Sequence, residues 1–410
     1  MRLIKMIACK FFVIILKLMA SLRKPSSACV LFGAVNGSSF ADNSRYVYEW
    51  ILAHRPNWRP VWITRNRKVY DDLHQKSKPV ALMLSWRGLQ CLSHARIGVY
   101  THSLRDLAFF AGMIPDAIKL IALRHGKSLK RVRFARRQHK MSEYENSERL
   151  REARLIHYAI STSEFVSDIQ EECLRIGRQK HVITGFPRND YMLNPTREMQ
   201  MSWQEYVKGK SYKKIILYGP SWRHGRKATV FFPFTDFNIE KLKSLLEQNN
   251  ILLLLRPHPN DLRQYRELGI SLSSLAQKTD NIRLASHDYF PDAHAILPFI
   301  DVLISDYSAL YHDFLLMDRP LIFIPYDYED FNEQNGFLYD YYQNLPGPAV
   351  SLFQDLCIHI EEICQGKDPY AEKRRKLADK VHTYKDAGSC ARVVRLIEGL
   401  MMEKQVYGKK

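Results

Sequence analysis

From Cys29 onward the chain alternates short β-branched or apolar runs with longer amphipathic segments, a pattern that commits it to strands joined by helical crossovers in parallel sheets. Two such series can be read. In the first, strands are expected at Cys29–Val35, Val61–Thr64, Ile97–Thr101, Leu120–Leu123, Tyr158–Ser161 and Val182–Thr184, with helices such as Arg45–Ala53 between them. In the second they are expected at Ile215–Tyr218, Ile251–Leu255, Ile282–Leu284, Val302–Ile304 and Leu321–Ile324, before C-terminal helices around Asp355–Cys364 and Cys390–Met401. A polar stretch with Asn194-Pro195, a helix near Trp203–Val207 and the lysine-bearing Lys208–Lys214 separate the series. The 410 residues suffice for two domains that each bury a core. The expected division is 28–200 and 201–410, preceded by a separate segment at 1–27.

That first segment is apolar over Phe11–Leu16 and Leu18–Ala20 but interrupted by Lys17, too short a run to span a bilayer. Lys10 and Lys17 share a helix face and leave Phe11, Ile14, Ile15 and Leu18 on the other, as a helix lying in a membrane surface requires. A signal peptide, weakened by the poor cleavage region Ser21–Lys24, and a core-docking helix are the competing readings. Lysine plus arginine outnumber acids 61 to 43, and the net charge of +18 draws phosphate-rich partners: nucleotides, nucleic acid or anionic membrane. The run Lys127–Lys140, with Lys127, Lys130, Arg131, Arg133, Arg136, Arg137 and Lys140, suits a polyanion or lipid head groups, or is a solvated face. Nucleic acid is not expected there, because only Phe134 supplies a ring for stacking. The seven cysteines form no C-x-x-C pair or zinc spacing, which fits a reducing, cytosolic setting. With no H-E-x-x-H and no Walker-type loop, neither a metal nor a cofactor is expected.

Ligands of open parallel sheets bind beyond the carboxyl ends of the strands. In this sequence those ends are followed by Thr101-His102-Ser103, Arg124-His125-Gly126-Lys127, Gly185-Phe186-Pro187-Arg188, Pro220-Ser221-Trp222-Arg223, Arg256-Pro257-His258-Pro259 and Ser305-Asp306-Tyr307-Ser308. Such a set, divided between two domains facing a central cleft, suits an anionic, phosphorylated or nucleotide substrate, with Arg188, Arg223 and Arg256 forking onto phosphate and Ser221, Ser305 and Ser308 at helix starts. The helix expected over Ala309–Met317 would offer its first-turn N–H groups to a phosphate, or simply be capped by Ser305 or Asp306. Asp306 would repel a phosphate directly and is expected to orient a neighbouring His or Arg, or to contact a hydroxyl. Flanking cations Arg124 and Lys127 disfavour the imidazolium form of His125 and would keep the neutral ring available as a base. His258, between two prolines, is held in one direction and could donate to a phosphate oxygen or the leaving group.

Several of these pieces, in this order, resemble the CDP-glycerol glycerophosphotransferase family of teichoic acid and capsule polymer synthesis. They are Ala41-Asp42-Asn43-Ser44-Arg45-Tyr46, Arg124–Lys130, Thr184–Asp190, Leu217–Arg223, Arg256–Pro259, Ile304–Asp313, Arg319-Pro320 with Tyr326-Asp327, and Pro346-Gly347-Pro348. The resemblance implies an α/β GT-B-type fold of two Rossmann-like domains, CDP-glycerol as donor, a lipid-linked or glycan acceptor, and peripheral attachment to the cytoplasmic face of the membrane. It implies His125 as base, His258 as a donor-phosphate contact, Ser305, Asp306 and Ser308 near the diphosphate, and Gly126 beside the substrate. Where the family usually has tryptophan before His-Gly and Thr-Pro after it, this chain has Arg124, Lys127 and Ser128. That extra charge beside the base would suit a more anionic acceptor. The same fold acting on CDP-ribitol or a nucleotide sugar, and a non-catalytic membrane adaptor that binds an anionic polymer, are the alternatives.

Overall fold

The computed structural model describes residues 29–126, 130–137, 141–223, 229–258, 261, 265, 272–287 and 289–403. The amphipathic reading of 1–27 lies outside that range. Among the described residues no helix is long and apolar enough to cross a membrane.

Two all-parallel sheets result. The first contains β1 (Cys29–Gly33), β2 (Arg59–Thr64), β3 (Val80–Leu82), β4 (Ile97–Tyr100), β5 (Lys119–Ala122), β6 (Ile156–Ser161) and β7 (His181–Ile183), in the order β3-β2-β1-β4-β5-β6-β7. The second contains β8 (Lys214–Tyr218), β9 (Ile251–Leu255), β10 (Ile282–Leu284), β11 (Val302–Ser305) and β12 (Leu321–Phe323), in the order β10-β9-β8-β11-β12. Strands covered on both faces read as continuous apolar runs, and β1 and β9, the latter Ile-Leu-Leu-Leu-Leu, are buried throughout. The edge strand β3 was not expected. It is three residues of Val-Ala-Leu, too short to show a period of two.

Each sheet anchors one compact unit, and neither unit is a continuous stretch of chain. The first takes residues up to His125, Met141–Asp190, and everything from Asp386 onward; the second takes Gly126–Lys140 and Tyr191–Lys385. The expected division is one linear cut at residue 200, whereas the compact units exchange chain after His125, Lys140, Asp190 and Lys385. The C-terminal part of the difference has a packing cause. In the first unit, helix α1 (Asp42–His54) buries Val47, Tyr48 and Ile51, and the last helix, α4 (Ser389–Met402), buries Val393, Val394, Ile397 and Leu400 in the same cluster. Asp190 fixes the start of α4 by accepting from the N–H groups of Ser389 at 2.9 Å and Cys390 at 2.6 Å, two of the donors a helix start leaves unsatisfied. Arg55 adds a bond to Glu398 at 2.9 Å.

Ile397→Ala should therefore lower the stability of the first unit by about 2–5 kcal/mol, the cost of truncating a fully buried aliphatic side chain. A urea titration read by a probe in that unit checks it, and an unshifted midpoint would mean that α4 does not hold the unit together.

Candidate active site

In the first unit, three separate pieces of sequence meet around His125. Arg124 takes a left-handed backbone conformation, φ +57°, just after β5. Its side chain is buried, only 8% of the residue being exposed, whereas the His125 side chain is 69% exposed. Burial lowers the pKa of the Arg124 guanidinium against the opposing pull of Glu152. Arg124 was expected to flank the base as a cation; in the structure its guanidinium is buried, with Nε and Nη1 lacking a hydrogen-bond partner among the described residues. The direct neighbour of the imidazole is an anion: Asp42 Oδ2 is hydrogen-bonded to His125 Nδ1.

Asp42 opens α1 with φ +63°, a conformation that a short polar side chain tolerates better than most. Burial favours its neutral form, but His125 and Arg188 outweigh that and hold the carboxyl well below the usual carboxylate range. Its other oxygen accepts from Arg188 Nη1 at 3.1 Å and from the Asn43 N–H at 2.8 Å. The frame around the pair is closed by hydrogen bonds. Asn43 Nδ2 donates to the carbonyls of Leu123 at 3.1 Å and Arg124 at 2.7 Å, and Asn43 Oδ1 accepts from Arg188 N at 3.1 Å. Arg188, at the start of α2 (Pro187–Leu193), also donates through Nη1 to the His125 carbonyl at 2.5 Å. Beside His125 lies the ring of His102, at the end of β4, with centroids 4.4 Å apart. His102 Nδ1 accepts from the Val35 N–H at 3.2 Å.

The second unit builds its site around a buried arginine. Arg223 donates from Nη1 to Ser221 O at 2.6 Å and Asp306 Oδ2 at 2.7 Å, and from Nε and Nη2 to Asp327 at 2.8 and 2.9 Å. Burial disfavours its charge, but Asp306 and Asp327 more than offset this and raise its pKa. Asp306 accepts as well from Ser221 N at 2.8 Å and from its neighbour Tyr307 N at 2.5 Å. Of the roles open to it, it takes up the arginine, and it ties the loop after β8 to the loop after β11. Ser305 Oγ joins the same two strand ends by donating to Gly219 O at 3.0 Å, so it does not cap a helix. The helix expected over Ala309–Met317 is shorter, α3 (Leu310–Phe314) followed by a 3-10 turn, and the hydroxyl at its start is that of Ser308, which accepts from Leu310 N at 3.3 Å. Ser221 Oγ is buried without a partner among the described residues.

Of the expected phosphate forks, Arg223 and Arg256 are turned to protein acceptors. Arg256 donates to Ala285 O at 2.8 Å and Phe290 O at 2.9 Å, and burial pulls its pKa down to about 10. Arg188 serves the His125 frame. The reason is common to all three: a guanidinium at a strand end that loses water needs several fixed acceptors, and nearby carbonyls and carboxylates supply them. His258, after β9, is exposed and stacks on Trp222 with centroids 5.7 Å apart. Gly126 begins the short segment assigned to the second unit. Within that segment Lys130 pairs with Phe337 through the backbone and sets its ammonium 5.2 Å over the Phe331 ring. Burial lowers the Lys130 pKa to about 8, with Asp306 opposing. Of the basic run, Arg136 and Arg137 are exposed, while Lys127 and Lys140 lie outside the described residues. Sequence reasoning placed His102 and Lys130 only in broader groups, the strand-end set and the basic run, and gave no role to Asp42, Asn43 or Asp327. Those three stood in the quoted motifs, but nothing in a linear motif says which other segment a side chain will meet.

Two all-parallel Rossmann-like units with histidines, hydroxyls and carboxylates at their strand ends define an α/β fold of the GT-B type. The chain belongs to the CDP-glycerol:poly(glycerophosphate) glycerophosphotransferase family, whose pattern matches residues 15–399. It is 24% identical over 390 residues to a teichoic acid glycerol-phosphate transferase of Staphylococcus aureus, covering 91% of this chain and 93% of that protein. It is 25% identical over 363 residues to a teichoic acid poly(glycerol phosphate) polymerase of Bacillus subtilis, covering 84% of this chain but only 45% of the polymerase. Among solved structures, the wall teichoic acid polymerase TagF, in a variant soaked with CDPG, superposes with a TM-score of 0.78 at 21% identity over 98% of this chain and 96% of the other.

Arg223→Met should cost about 3–5 kcal/mol, because it leaves Asp306 and Asp327 as buried or half-buried charges without their partner. Chemical denaturation of the variant measures this. A variant of full stability that has lost only donor affinity would reassign the guanidinium from structure to substrate.

Proposed function

We propose that this protein transfers glycerol phosphate from CDP-glycerol to a hydroxyl of a lipid-linked or glycan acceptor during synthesis of a teichoic acid or capsule polymer. The observation that carries the reading is His125: an exposed imidazole, hydrogen-bonded to a buried carboxylate, in a chain that belongs to a glycerophosphotransferase family. Its near full-length match to a teichoic acid glycerol-phosphate transferase supports the choice of donor.

In the proposed reaction His125 takes the proton of the acceptor hydroxyl as that oxygen attacks the β-phosphorus of CDP-glycerol. The new O–P bond forms as the bond to the bridging oxygen of the diphosphate breaks, and CMP leaves with the electron pair. The second unit holds the donor, with His258 assigned to a phosphate oxygen and the Ser305–Ser308 and Pro220–Arg223 loops to the diphosphate. The Arg223 network keeps those loops rigid, so their polar groups need little reorganisation, which is how positioned dipoles lower a barrier. The net charge of +18 and the apolar stretch near Phe11–Ala20 support work at an anionic membrane surface, on its cytoplasmic face and as a peripheral protein.

His125→Ala should lower CMP release from CDP-glycerol by about 10²–10⁴, the usual contribution of a general base, and leave CDP-glycerol binding intact by calorimetry. A loss below about tenfold would refute the assignment. Parallel incubations with CDP-ribitol and a UDP-sugar complete the test, and release from either of those in preference to CDP-glycerol would move the reading to another donor.

A further inference from the structure

An exposed imidazole on a surface loop is by itself a poor base, since it divides its time between two tautomers and several rotamers. His125 is that exposed, yet its ring is held at one nitrogen by Asp42. Because an ionised carboxylate can only accept, the proton of the neutral ring must sit on Nδ1, and the lone pair is left on Nε2. Asp42 is itself immobilised from three sides: by Arg188 Nη1 at 3.1 Å, by the Asn43 N–H at 2.8 Å and by burial to 5% exposure. The same Arg188 nitrogen reaches the His125 carbonyl at 2.5 Å, so the backbone of the histidine and the carboxylate that grips its ring share one donor. The left-handed conformation of Asp42, at φ +63°, and that of Arg124, at φ +57°, flank this arrangement, and strained residues persist only where their surroundings over-determine them.

We propose that Asp42 is the positioning residue of the reaction: it fixes the proton of His125 on Nδ1, presents Nε2 to the acceptor hydroxyl, and stabilises the imidazolium that forms when the hydroxyl proton arrives. The inference rests on His125 being the base. His102 bounds the other side of the ring, and its own Nδ1 already accepts from Val35 N–H at 3.2 Å, so it does not take over the carboxylate through that nitrogen. Asp42, His102 and His125 bring potential ligand atoms within 4.8 Å of one another. Both oxygens of Asp42 are nevertheless engaged by Arg188 and His125, which makes the trio a hydrogen-bonded dyad with a flanking ring.

Asp42→Asn tests the proposal. An amide can donate to Nδ1 and so favours the opposite tautomer, and the expected result is a fall in kcat of about 10²–10⁴ with little change in KM for CDP-glycerol, comparable to other losses of a base or its orienting acid. Nitrogen-15 NMR of histidine-labelled protein provides the readout that a merely structural role would not move. His125 should carry its proton on Nδ1 in the unmutated protein and on Nε2 in Asp42→Asn. If Asp42→Asn fails to fold, the spectrum of the unmutated protein still decides, since a proton on Nε2 overturns the proposal. Full activity of Asp42→Asn beside an inactive His125→Ala would sink this inference and leave the assignment of the base standing, whereas an active His125→Ala would sink both. One equivalent of zinc bound by the unmutated protein, and lost in Asp42→Asn and His102→Gln, would also overturn it, because those nitrogens and oxygens would then be ligands.

Discussion

Both units depend on one constraint, the parallel pairing of every strand. Parallel neighbours cannot be joined by a tight turn, so each connection must cross a face of the sheet and return, and all carboxyl ends emerge at one edge. That is why residues as distant in sequence as Asp42, His125 and Arg188, or Ser221, Asp306 and Asp327, come within hydrogen-bonding distance of one another. The chemistry is assembled by the topology, and the hydrogen bonds between loops fix its details.

Among the described residues, several of the arginines at these strand ends are turned away from solvent. Arg124, Arg188 and Arg223 are buried, and Arg256 directs its guanidinium at carbonyls. Buried charge is costly without partners, and Arg188, Arg223 and Arg256 find them in loop carbonyls and in the carboxylates of Asp42, Asp306 and Asp327. The positive strand ends are therefore a scaffold of pinned loops, and the groups left facing outward are fewer: the His125 and His258 rings among them.

How much of this was legible follows from the length scale of each signal. Central strands such as β9 and β1, buried on both faces, announce themselves as apolar runs, and the histidine-bearing strand ends follow once the strands are placed. Helix α4 was legible as a helix and illegible as a member of the first unit, because an apolar stripe states that it must be covered and leaves the cover unspecified. The short strand β3 lacked enough residues to show a period. Arg223 and Asp306 were legible as site residues by position, but a guanidinium reads the same in sequence whether it meets a phosphate or a carboxylate. Asp42 was legible as part of a motif, and its meeting with a histidine 83 residues away was not.

The return of the chain to its first unit sets a schedule for its synthesis. The segment that completes the first core begins at Asp386, long after Asp190 has been made. At about 5–20 residues per second the ribosome needs on the order of 10–40 s to make the intervening stretch. For that interval the groove of α1 that α4 will fill, lined by Val47 and Ile51, stands open on a nascent chain. A cell that makes this protein must shield an unfinished apolar surface until α4 arrives, so its yield is tied to chaperone supply and to translation speed between Asp190 and Asp386.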